Sequence, residues 1–597
     1  MIRKSRFRAT HERIDQSMQK HKAALASSLA EEIKAIAPDS AIASEELYDM
    51  LEYPPDAKMG DLALPCFKLS RTLRMAPPAI AAKLAEGFGA GEYATVATAG
   101  GYLNFTINPA YLTGTVLGEI LEKKENYGKS DIGAGKEVVL DYSSPNVAKP
   151  FHIGHLGTTV IGHSLKMLHE FCGWKTVGIN HLGDWGTQFG KLIVAYKLWG
   201  NKEQIEEGGI DKLVELYVRI NNTIKGDEEK GIPAREDLAD QSRAEFHKME
   251  IGDEENIALW KWFIEISLNE YQKTYKQLGI TFDSYAGESF YTDLMPAQVQ
   301  RLRDRDLLKL DDGASIVDLS EYNMPPCLIL KRDGSTLYPT RDIAAAVYRK
   351  EHYNFDKCVY VTSNQQILHF QQWFKVLEMM GYDWYGELVH VPYGTVSIGG
   401  MKLATRTGNV ILLKDLFAMA VEKVKAIMEE KNPDLENKDE VAEAVGIGAV
   451  VFYYLTNSRI KDNDFSLEDA LSFEGNTGPY AQYTYARTCS ITEKAGGVPE
   501  KSACGSYKPE GAEVALTKTL SLFSEKVLDA VHEYEPMVIT RYSLDVCTAF
   551  NRFYHDCPIL SANDENTRAF RVRLTEATKT VLGNAFGLIC LKKTPKI

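Results

Sequence analysis

Between residues 136 and 180 the apolar and polar positions predict a strand, a helix and a second strand in succession. The short apolar run at residues 138–140 is typical of a strand buried on both faces. A helical pattern follows to about Phe171, and Gly173 then offers a helix C-cap. Residues 174–180 form the next strand candidate. This order is a βαβ unit, which favours a Rossmann-like, doubly wound parallel sheet.

The rest of the chain shows different periodicities, so a multidomain α/β protein is expected from its 597 residues. The predicted division is an N-terminal α+β domain at 1–125, a Rossmann-like central domain at 126–435 with a charged helical insertion at about 200–282, and a C-terminal α-helical bundle at 440–597. In the central domain a hairpin is predicted at 326–339 with Asp333-Gly334 at its turn, and the sheet is expected to resume at 357–363 and 387–397.

Charge and cysteine content narrow the class of protein only in part. The net charge of −14 by itself speaks against nucleic-acid binding, although a basic surface on one domain can be outweighed elsewhere. The nine cysteines are scattered without a Cys-x-x-Cys pair, so we expect reduced thiols in the cytoplasm, no disulfide framework and no protein-bound metal. No apolar run approaches the ~20 residues of a membrane span, so no membrane association is expected.

Two histidines, His152 and His155, lie in the turn that follows the first predicted strand of the sheet. A loop between a parallel strand and the next helix is where α/β proteins bind phosphates, and imidazoles there can donate hydrogen bonds to phosphoryl oxygens. Gly154 between them would let a ligand approach the backbone closely. Taken alone, the motif is more often two partly buried histidines bonded to backbone carbonyls.

Longer motifs around this turn resemble those of one enzyme family. The stretch SSPNVAKPFHIGHL at 143–156 and the later MKLATRTGNV at 401–410 resemble the two signatures of class I aminoacyl-tRNA synthetases. Three stretches between them, NHLGDWGTQFGKL, DGSTLYPTRDIAAA and SNQQILHFQQWF, look specifically like arginyl-tRNA synthetases. NTGPYAQYTYAR and FNRFYHDCPIL near the C-terminus agree. Because the motifs follow the family order along almost the whole chain, the resemblance implies an arginyl-tRNA synthetase.

The resemblance implies a two-step reaction. Arginine attacks the α-phosphorus of ATP to give arginyl-adenylate and pyrophosphate, and a terminal ribose hydroxyl of tRNA(Arg) then takes the arginyl group. Neither step needs a protein nucleophile, so catalysis should consist of positioning and charge stabilisation. ATP is expected with Mg²⁺, and the implied residues at ATP or at the reacting phosphate are Lys149, His152, Gly154, His155, Lys402 and Arg406.

The resemblance also implies a pocket for the guanidinium of the substrate, a planar set of donors that requires carboxylates and other acceptors around it. The family pattern places Glu288, Tyr338 and Asp342 at the arginine side chain, and Asn146 and Gln366 near its α-amino and carboxylate end. Singly, each has a simpler interpretation. Asp342 could favour a helix N-terminus, Tyr338 could belong to a strand, and Glu288 could be a loop charge. Together, in family register, they favour the pocket.

Tyr480, Tyr483 and Arg487 are spaced i, i+3 and i+7, on one face of a predicted C-terminal helix. Aromatic and arginine side chains together can stack on unpaired bases of an RNA loop. The same spacing is equally expected of a helix packed in a core. The resemblance implies a monomer whose C-terminal domain binds the anticodon and whose N-terminal domain contacts the tRNA elbow. It also implies that adenylate forms only when tRNA is present.

Two positions depart from the family pattern. Gly157 stands where the first signature usually has arginine, and Thr405 stands where most class I enzymes carry a catalytic lysine. Lys149, three residues before the first histidine, is the candidate for the missing cation, and the alternative is a solvated loop lysine. The departures leave open an RNA-binding or regulatory paralogue that forms no adenylate. A small-molecule adenylyltransferase is a second alternative, but it would leave the C-terminal helices unexplained.

Overall fold

The computed structural model describes residues 17–88, 93–226, 233–398, 401–402 and 411–597. Along these residues a small α+β unit is followed by a parallel sheet with helices on both faces, and then by a set of C-terminal helices. The predicted fold class, a multidomain α/β protein with a Rossmann-like sheet, is confirmed.

The N-terminal unit packs helices against a small antiparallel sheet. Its elements are α1 (Ser17–Ile36), α2 (Ser44–Met50), β1 (Leu62–Pro65), α3 (Ser70–Leu73), α4 (Pro77–Gly87), β2 (Ala94–Ala99) and β3 (Tyr102–Ile107). β3 pairs antiparallel with both β1 and β2. Leu25, Leu29 and Ile33 recur at helical spacing in α1 and are buried in one cluster with Leu103 and Phe105 of β3. This shared core accounts for the predicted α+β character of the region.

The central region carries the predicted βαβ unit. After α5 (Pro109–Lys123), its elements are β4 (Glu137–Asp141), α6 (Ile153–Phe171), β5 (Lys175–Ile179), α7 (Thr187–Trp199), α8 (Lys202–Lys225), α9 (Glu236–Glu250), α10 (Glu254–Leu278), α11 (Met295–Asp304), β6 (Leu308–Asp311), β7 (Ala314–Val317), β8 (Cys327–Leu330), α12 (Tyr338–Tyr353), β9 (Lys357–Ser363), α13 (Ile367–Met379), β10 (Leu388–Tyr393), β11 (Val396–Ile398) and β12 (Met401–Lys402). The order of the main sheet is β10-β9-β4-β5, and every neighbouring pair is parallel.

The strands of this sheet are buried on both faces, as the apolar run at 138–140 predicts. Val138 and Leu140 of β4 pack in the core that contains α6, whereas Val139 packs with Ile343 of α12 and Trp373 of α13. The chain continues from β4 to its neighbour β5 on one side and later returns to β9 on the other side. β4 and β9 therefore flank the point where strand order reverses, and ligands of such sheets bind at the carboxyl ends there.

Two features between β5 and β9 were predicted only in part. The charged stretch after residue 200 is helical, and helices α7–α10 share their own apolar core. The antiparallel sheet β6-β7-β8 was not predicted. The predicted hairpin is present, with a φ of 81° at Gly334 in its turn and an antiparallel bridge between Leu330 and Thr336. The backbone N–H of Leu337 also donates across it to the carbonyl of Ile329 at 3.1 Å. Its second arm is shorter than predicted, because α12 begins directly afterwards with Pro339 in its first turn.

The C-terminal region is helical apart from one short strand. Its elements are α14 (Leu413–Lys431), α15 (Lys438–Leu455), β13 (Asn463–Phe465), α16 (Leu467–Ala470), α17 (Gly478–Lys494), α18 (Ala512–Ser521), α19 (Phe523–Glu533), α20 (Met537–Asp556) and α21 (Glu565–Leu588). β13 pairs in parallel with β11, and one apolar core runs from β4 and α6 into α15, α20 and α21. The predicted helical character is confirmed, while the boundary near residue 440 stays a prediction.

Candidate active site

The turn after β4 uses its two histidines to cap helix α6. His152 is the N-cap residue, and its Nδ1 atom accepts a hydrogen bond from the backbone N–H of Gly154 at 3.0 Å. The Nδ1 atom of His155 accepts one from the backbone N–H of His152 at 3.1 Å. The ring centroids are 3.9 Å apart. The rings thus form a reciprocal capping box, in place of the bonds to backbone carbonyls that the simpler interpretation expected.

Burial and this capping together decide the charge and the tautomer of both rings. Burial and the charge of Lys149 lower the pKa of His152 to about 4, and burial and the neighbouring His152 lower the pKa of His155 well below its ordinary value. Both imidazoles are therefore neutral near pH 7. Because each Nδ1 atom accepts a backbone N–H, the ring proton lies on Nε2. Two Nε2–H donors at this edge of the sheet suit phosphoryl oxygens that gain charge.

Hydroxyl and amide groups hold the loop between β4 and α6 in a strained conformation. Ser143, Ser144 and Ala148 have φ angles of 69°, 48° and 57°, a region that residues other than glycine rarely adopt. The backbone N–H of Ser143 donates to Oγ1 of Thr158 at 3.0 Å, and that of Ser144 donates to Oδ1 of Asn180 at 3.1 Å. Strain that the surrounding structure maintains in this way is concentrated at functional loops.

The residues predicted to bind arginine line one cavity of about 500 Å³ at the carboxyl edge of β4 and β9. They come from four segments of the chain: Asn146 from the loop before α6, Glu288 from the turn before α11, Tyr338 and Asp342 from the first turns of α12, and Gln366 from the turn before α13. His155 lines the same cavity. The structure thus brings the predicted arginine site and one predicted ATP residue together, while their roles stay predictions.

Basic residues of the chain engage Glu288 and Asp342, two of the carboxylates that line this cavity. Oε2 of Glu288 lies 2.5 Å from Nη1 of Arg341, and Oδ2 of Asp342 lies 2.5 Å from Nε2 of His369. Burial raises the pKa of Glu288 to about 7, against the lowering effect of Arg341. Tyr338 is 67% exposed and so remains open to a ligand. Neither Arg341 nor His369 is among the predicted site residues, although both lie inside motifs that carried the family resemblance.

Asp184 anchors the segment that carries Glu288. Its carboxylate accepts hydrogen bonds from the backbone N–H of Ser289 at 2.8 Å and from the Ser289 hydroxyl at 2.6 Å. The backbone N–H of Glu288 donates to the carbonyl of Leu182 at 2.9 Å, and burial raises the pKa of Asp184. Sequence reasoning missed this residue, although it lies in the quoted stretch NHLGDWGTQFGKL.

The charge of Lys149 affects both the histidine turn and the cavity that contains Glu288. Its charge lowers the pKa values of His152 and His155, and it also opposes the raised pKa of Glu288. The side chain is half-buried, and its backbone carbonyl accepts a hydrogen bond from the Tyr271 hydroxyl at 2.8 Å. A half-buried lysine whose charge reaches the histidine turn and the cavity differs from the solvated loop lysine of the alternative interpretation.

The second signature is described only at its edges. The backbone of Lys402 lies in β12, but its side chain, together with Thr405 and Arg406, lies outside the described residues. Just downstream, the carbonyl of Ile411 accepts a hydrogen bond from the N–H of Ile153 at 3.3 Å. The segment that follows the second signature therefore pairs with the histidine turn.

Side chains fill the space beside Gly154 and Gly157. A Cβ atom at position 157 would collide with the ring and hydroxyl of Tyr454, a buried residue of α15. The departure from the family pattern at Gly157 thus has a structural counterpart, because a tyrosine occupies the volume that a larger residue would need. A Cβ atom at position 154 would lie 2.8 Å from Cε1 of His152. Gly154 therefore makes room for an imidazole, and its role toward adenine stays a prediction.

Two of the predicted tRNA-contacting residues line a second, larger cavity. Tyr483 and Arg487 of α17 lie with Tyr554 of α20 in a cavity of about 1090 Å³. The Arg487 guanidinium lies 5.0 Å from the ring centre of Tyr483 and 4.9 Å from that of Tyr554. The two tyrosines are 45% and 46% exposed. The hydroxyl of Tyr480 instead accepts a hydrogen bond from Nδ2 of Asn551 at 2.9 Å. The core-packing alternative thus describes Tyr480 better than the other two residues.

Sequence reasoning missed Tyr554 and Asn551. Nη1 of Arg487 donates to Oδ1 of Asn551 at 2.5 Å, so Asn551 links Arg487 with Tyr480. Both missed residues lie in the quoted stretch FNRFYHDCPIL, at i and i+3. That spacing places them on one helix face and could have indicated a shared surface.

Among the described residues, no group of three or more His, Cys, Asp or Glu side chains could hold a metal ion. Over the same part of the chain, every helix is too short or too polar to cross a membrane. The cysteines are free thiols.

Known protein families account for most of the chain. The family model described as the catalytic domain of tRNA synthetases class I (R) matches residues 116–467. The arginyl tRNA synthetase N terminal domain matches residues 23–107, and the DALR anticodon binding domain matches residues 481–597. The parallel sheet with its histidine turn is therefore the catalytic domain of a class I aminoacyl-tRNA synthetase.

Individual relatives narrow this class. The arginine–tRNA ligase of Alkaliphilus metalliredigens is 48% identical over 557 residues, which cover 93% of this chain and 97% of the relative. That of Clostridioides difficile is 49% identical over 573 residues, which cover 96% of this chain and 99% of the relative. The chain belongs to the arginyl-tRNA synthetase family. The arginyl-tRNA synthetase of Thermus thermophilus shares the fold, with a TM-score of 0.78 at 24% identity over 96% of this chain and 100% of that one.

Proposed function

We propose that the chain is an arginine–tRNA ligase, which activates arginine with ATP and transfers it to the 3′-terminal ribose of tRNA(Arg), releasing AMP and pyrophosphate. The observation that carries this proposal is the shared cavity, in which Glu288 and Asp342 lie on the same walls as His155. Two carboxylates suit a guanidinium. The test is aminoacylation of bulk tRNA with each of the twenty amino acids. Only arginine should be incorporated, and charging with another amino acid, or with none, would contradict the proposal.

In the activation step an oxygen of the arginine carboxylate forms a bond to the α-phosphorus of ATP. The bond from that phosphorus to the leaving pyrophosphate breaks. ATP arrives as its Mg²⁺ complex, so the metal ion belongs to the substrate. The Nε2–H groups of His152 and His155 donate to phosphoryl oxygens, and Lys149 supplies a mobile cation. The proposed ATP site also includes Gly154, Lys402 and Arg406.

The arginine cavity orients the substrate from both ends. Glu288, Asp342 and Tyr338 take its guanidinium, and the exposed Asn146 and Gln366 take its α-amino and carboxylate groups. Holding arginine at both ends places its carboxylate against the α-phosphorus of ATP. The two reactants are then already oriented, so the reaction avoids much of the entropy cost of a bimolecular encounter.

In the transfer step the terminal ribose hydroxyl of tRNA attacks the carbonyl carbon of the adenylate. The ester bond to tRNA forms, and the bond to AMP breaks. Stacking of an unpaired anticodon base on Tyr483 or Tyr554 beside Arg487 would hold the far end of the tRNA. We assign the elbow contact to residues 1–125, catalysis to 126–435 and the anticodon contact to 440–597.

We further propose that the protein is a cytoplasmic monomer that forms the adenylate only when tRNA is bound. Exchange of labelled pyrophosphate into ATP, measured with and without tRNA(Arg), tests the second point. Exchange is expected with tRNA and not without it. Full exchange without tRNA would contradict this dependence. Absence of exchange in both conditions, with tRNA binding retained, would instead favour the regulatory paralogue.

A further inference from the structure

Arg341 approaches Glu288 from outside the arginine cavity. It lies in the first turn of α12, and its Nη1 atom is 2.5 Å from Oε2 of Glu288. The two side chains are only 13% and 17% exposed, so solvent screens this ion pair weakly. Glu288, Tyr338 and Asp342 line the cavity, whereas Arg341 is not among the described residues that line it. The ion pair therefore forms behind the surface that a ligand would contact.

The arrangement links two walls of the cavity through one guanidinium. Arg341 takes Oε2 of Glu288, so Oε1 is the oxygen left for a ligand. The same guanidinium lies 5.7 Å from the ring centre of Tyr338, within the range of a cation–π contact. A planar guanidinium has a defined orientation toward each partner, so it restrains the directions of both side chains.

The surroundings of Glu288 oppose its ionisation. Burial raises its pKa to about 7, and the charges of Asp342 and Asp184 act in the same direction. Arg341 and Lys149 lower the pKa, and Arg341 is the stronger of these two cations. Without Arg341, two neighbouring carboxylates would face Glu288 with Lys149 as the remaining cation, and Glu288 would be largely protonated at neutral pH.

Two histidines and a second ion pair also lie in these surroundings. His369 of α13 pairs with Asp342. His181, after β5, lines the cavity, and burial lowers its pKa, so it is neutral near pH 7. Asp141 and Arg349 line the same cavity and pair with each other at 2.8 Å, so their charges offset each other.

We propose that Arg341 is a positioning residue for arginine recognition, because it holds one oxygen of Glu288 from behind the cavity and presents the other, ionised, to the substrate guanidinium. This inference rests on the proposed function, since it takes arginine as the ligand of the cavity. The alternative is an inhibitory role, in which Arg341 must release Glu288 before arginine can bind. The two roles predict opposite changes in arginine affinity when Arg341 is removed.

The test is the pH dependence of arginine recognition in Arg341→Gln. Aminoacylation is measured with saturating ATP and tRNA(Arg) at pH values from about 6 to about 8.5. A protonated Glu288 cannot pair with a guanidinium, so KM for arginine should fall as pH rises through the pKa of Glu288. In Arg341→Gln this fall should move to higher pH. A tenfold change in the ionisation constant of Glu288, from a pKa of about 7, lowers its ionised fraction at pH 7 about fivefold, so KM at pH 7 should exceed that of the wild type by about fivefold. At pH 8.5 the difference should shrink to less than about 1.5-fold.

Three variants control this experiment. Arg341→Lys keeps a cation without the planar fork, so it should restore most of the pH profile. Glu288→Gln should have a high KM for arginine that does not change with pH, and adding Arg341→Gln to it should have little further effect. Arg332→Gln removes an exposed arginine that pairs with Asp312 at a surface turn, and it should behave as the wild type. Circular dichroism checks folding, and Arg341→Met, which also removes the cation, carries the test if Arg341→Gln does not fold.

Each outcome decides the inference. A lower KM for arginine in Arg341→Gln would establish the inhibitory role of Arg341 and overturn the positioning role. A rise in KM for arginine by the same factor at every pH would show that Arg341 has only a structural role. An unchanged KM would show that Arg341 has no role in arginine recognition. Either result would overturn the proposal. Calorimetric titration of arginine into the same variants separates this inference from the proposed function. If arginine binds but no tRNA is charged, the binding profiles still test Arg341. If the wild type does not bind arginine at all, both proposals fail.

Discussion

The central cavity and the C-terminal cavity differ in the kinds of side chain that line them. The central cavity, of about 500 Å³, contains Glu288 and Asp342, each paired with a basic residue, and the pKa of Glu288 is raised to about 7. The C-terminal cavity, of about 1090 Å³, contains the half-exposed rings of Tyr483 and Tyr554 on either side of Arg487.

The difference follows from the ligands that the two cavities are proposed to bind. A small cation that leaves water needs buried opposite charges, since an unpaired desolvated charge is very unfavourable. A flat base needs aromatic faces, and exposed rings supply them without burying a charge. Substitutions in the central cavity should therefore have steep and selective effects, whereas those in the C-terminal cavity should have moderate effects on tRNA alone.

The largest effect is expected for Lys149→Ala. Loss of one group that stabilises a transition state typically lowers a rate by about 10²–10³, so tRNA-stimulated pyrophosphate exchange should fall by that factor. Lys149→Arg should recover only part of the loss, because a guanidinium is not a compact point charge. Lys175→Ala, an exposed lysine at the opposite end of the sheet, is the control. Near-normal exchange in Lys149→Ala would place the required cation elsewhere, with Lys402 and Arg406 next to be tested.

Asp342→Asn tests the selectivity of the central cavity. Loss of a hydrogen bond to a charged group costs about 1.5–3 kcal/mol, so KM for arginine should rise about 10- to 100-fold while KM for ATP stays within about twofold. Steady-state aminoacylation measures both constants. Asp312→Asn, at an exposed surface turn, should change neither. Equal increases in the two KM values would show that the cavity does not separate arginine from ATP, and no change would remove Asp342 from the pocket.

Tyr554→Ala probes the C-terminal cavity. Stacking on an aromatic side chain contributes about 1–3 kcal/mol per base, so the Kd for tRNA(Arg) should rise about tenfold, with KM for arginine unchanged. Tyr554→Phe keeps the ring and should bind tRNA normally. Arg552→Ala, an exposed residue on the same helix, is the matched control. Filter binding gives the Kd values, and an unchanged Kd in Tyr554→Ala would exclude this ring from the tRNA contact.

The last prediction concerns the stability of the central region as pH changes. Burial lowers the pKa values of His163 and His169 to about 4, whereas a histidine in the unfolded chain titrates near pH 6.5. Their contribution to stability is therefore complete above about pH 6.5 and is lost as pH falls toward 4. Between pH 7 and pH 5 the free energy of unfolding should fall by about 1–2 kcal/mol per histidine.

Urea unfolding at the two pH values measures this change. His163→Gln should flatten the dependence. Equal stability at both pH values would contradict the assignment of neutral, buried histidines to the central region.

The sequence by itself determined the local elements of this protein and the candidate residues of its site. The apolar run at 138–140 and the helical pattern up to Phe171 predicted the βαβ unit, because buried apolar residues follow the spacing of the strand or helix that contains them. The arginine-binding candidates were identified from motifs, since singly Glu288 or Asp342 also fits a simpler interpretation. The motifs specified residue types and their order along the chain, but they gave no distances between side chains.

Only the tertiary structure decided which side chains meet. Glu288 and Arg341 are 53 positions apart and form an ion pair, and Gly157 faces Tyr454 from another helix. Protonation was decided there as well, because the reciprocal caps, together with burial, keep the two histidines of the turn neutral with the proton on Nε2. Such contacts depend on how distant elements pack, and periodicity reports only that a position is buried, without specifying its partner.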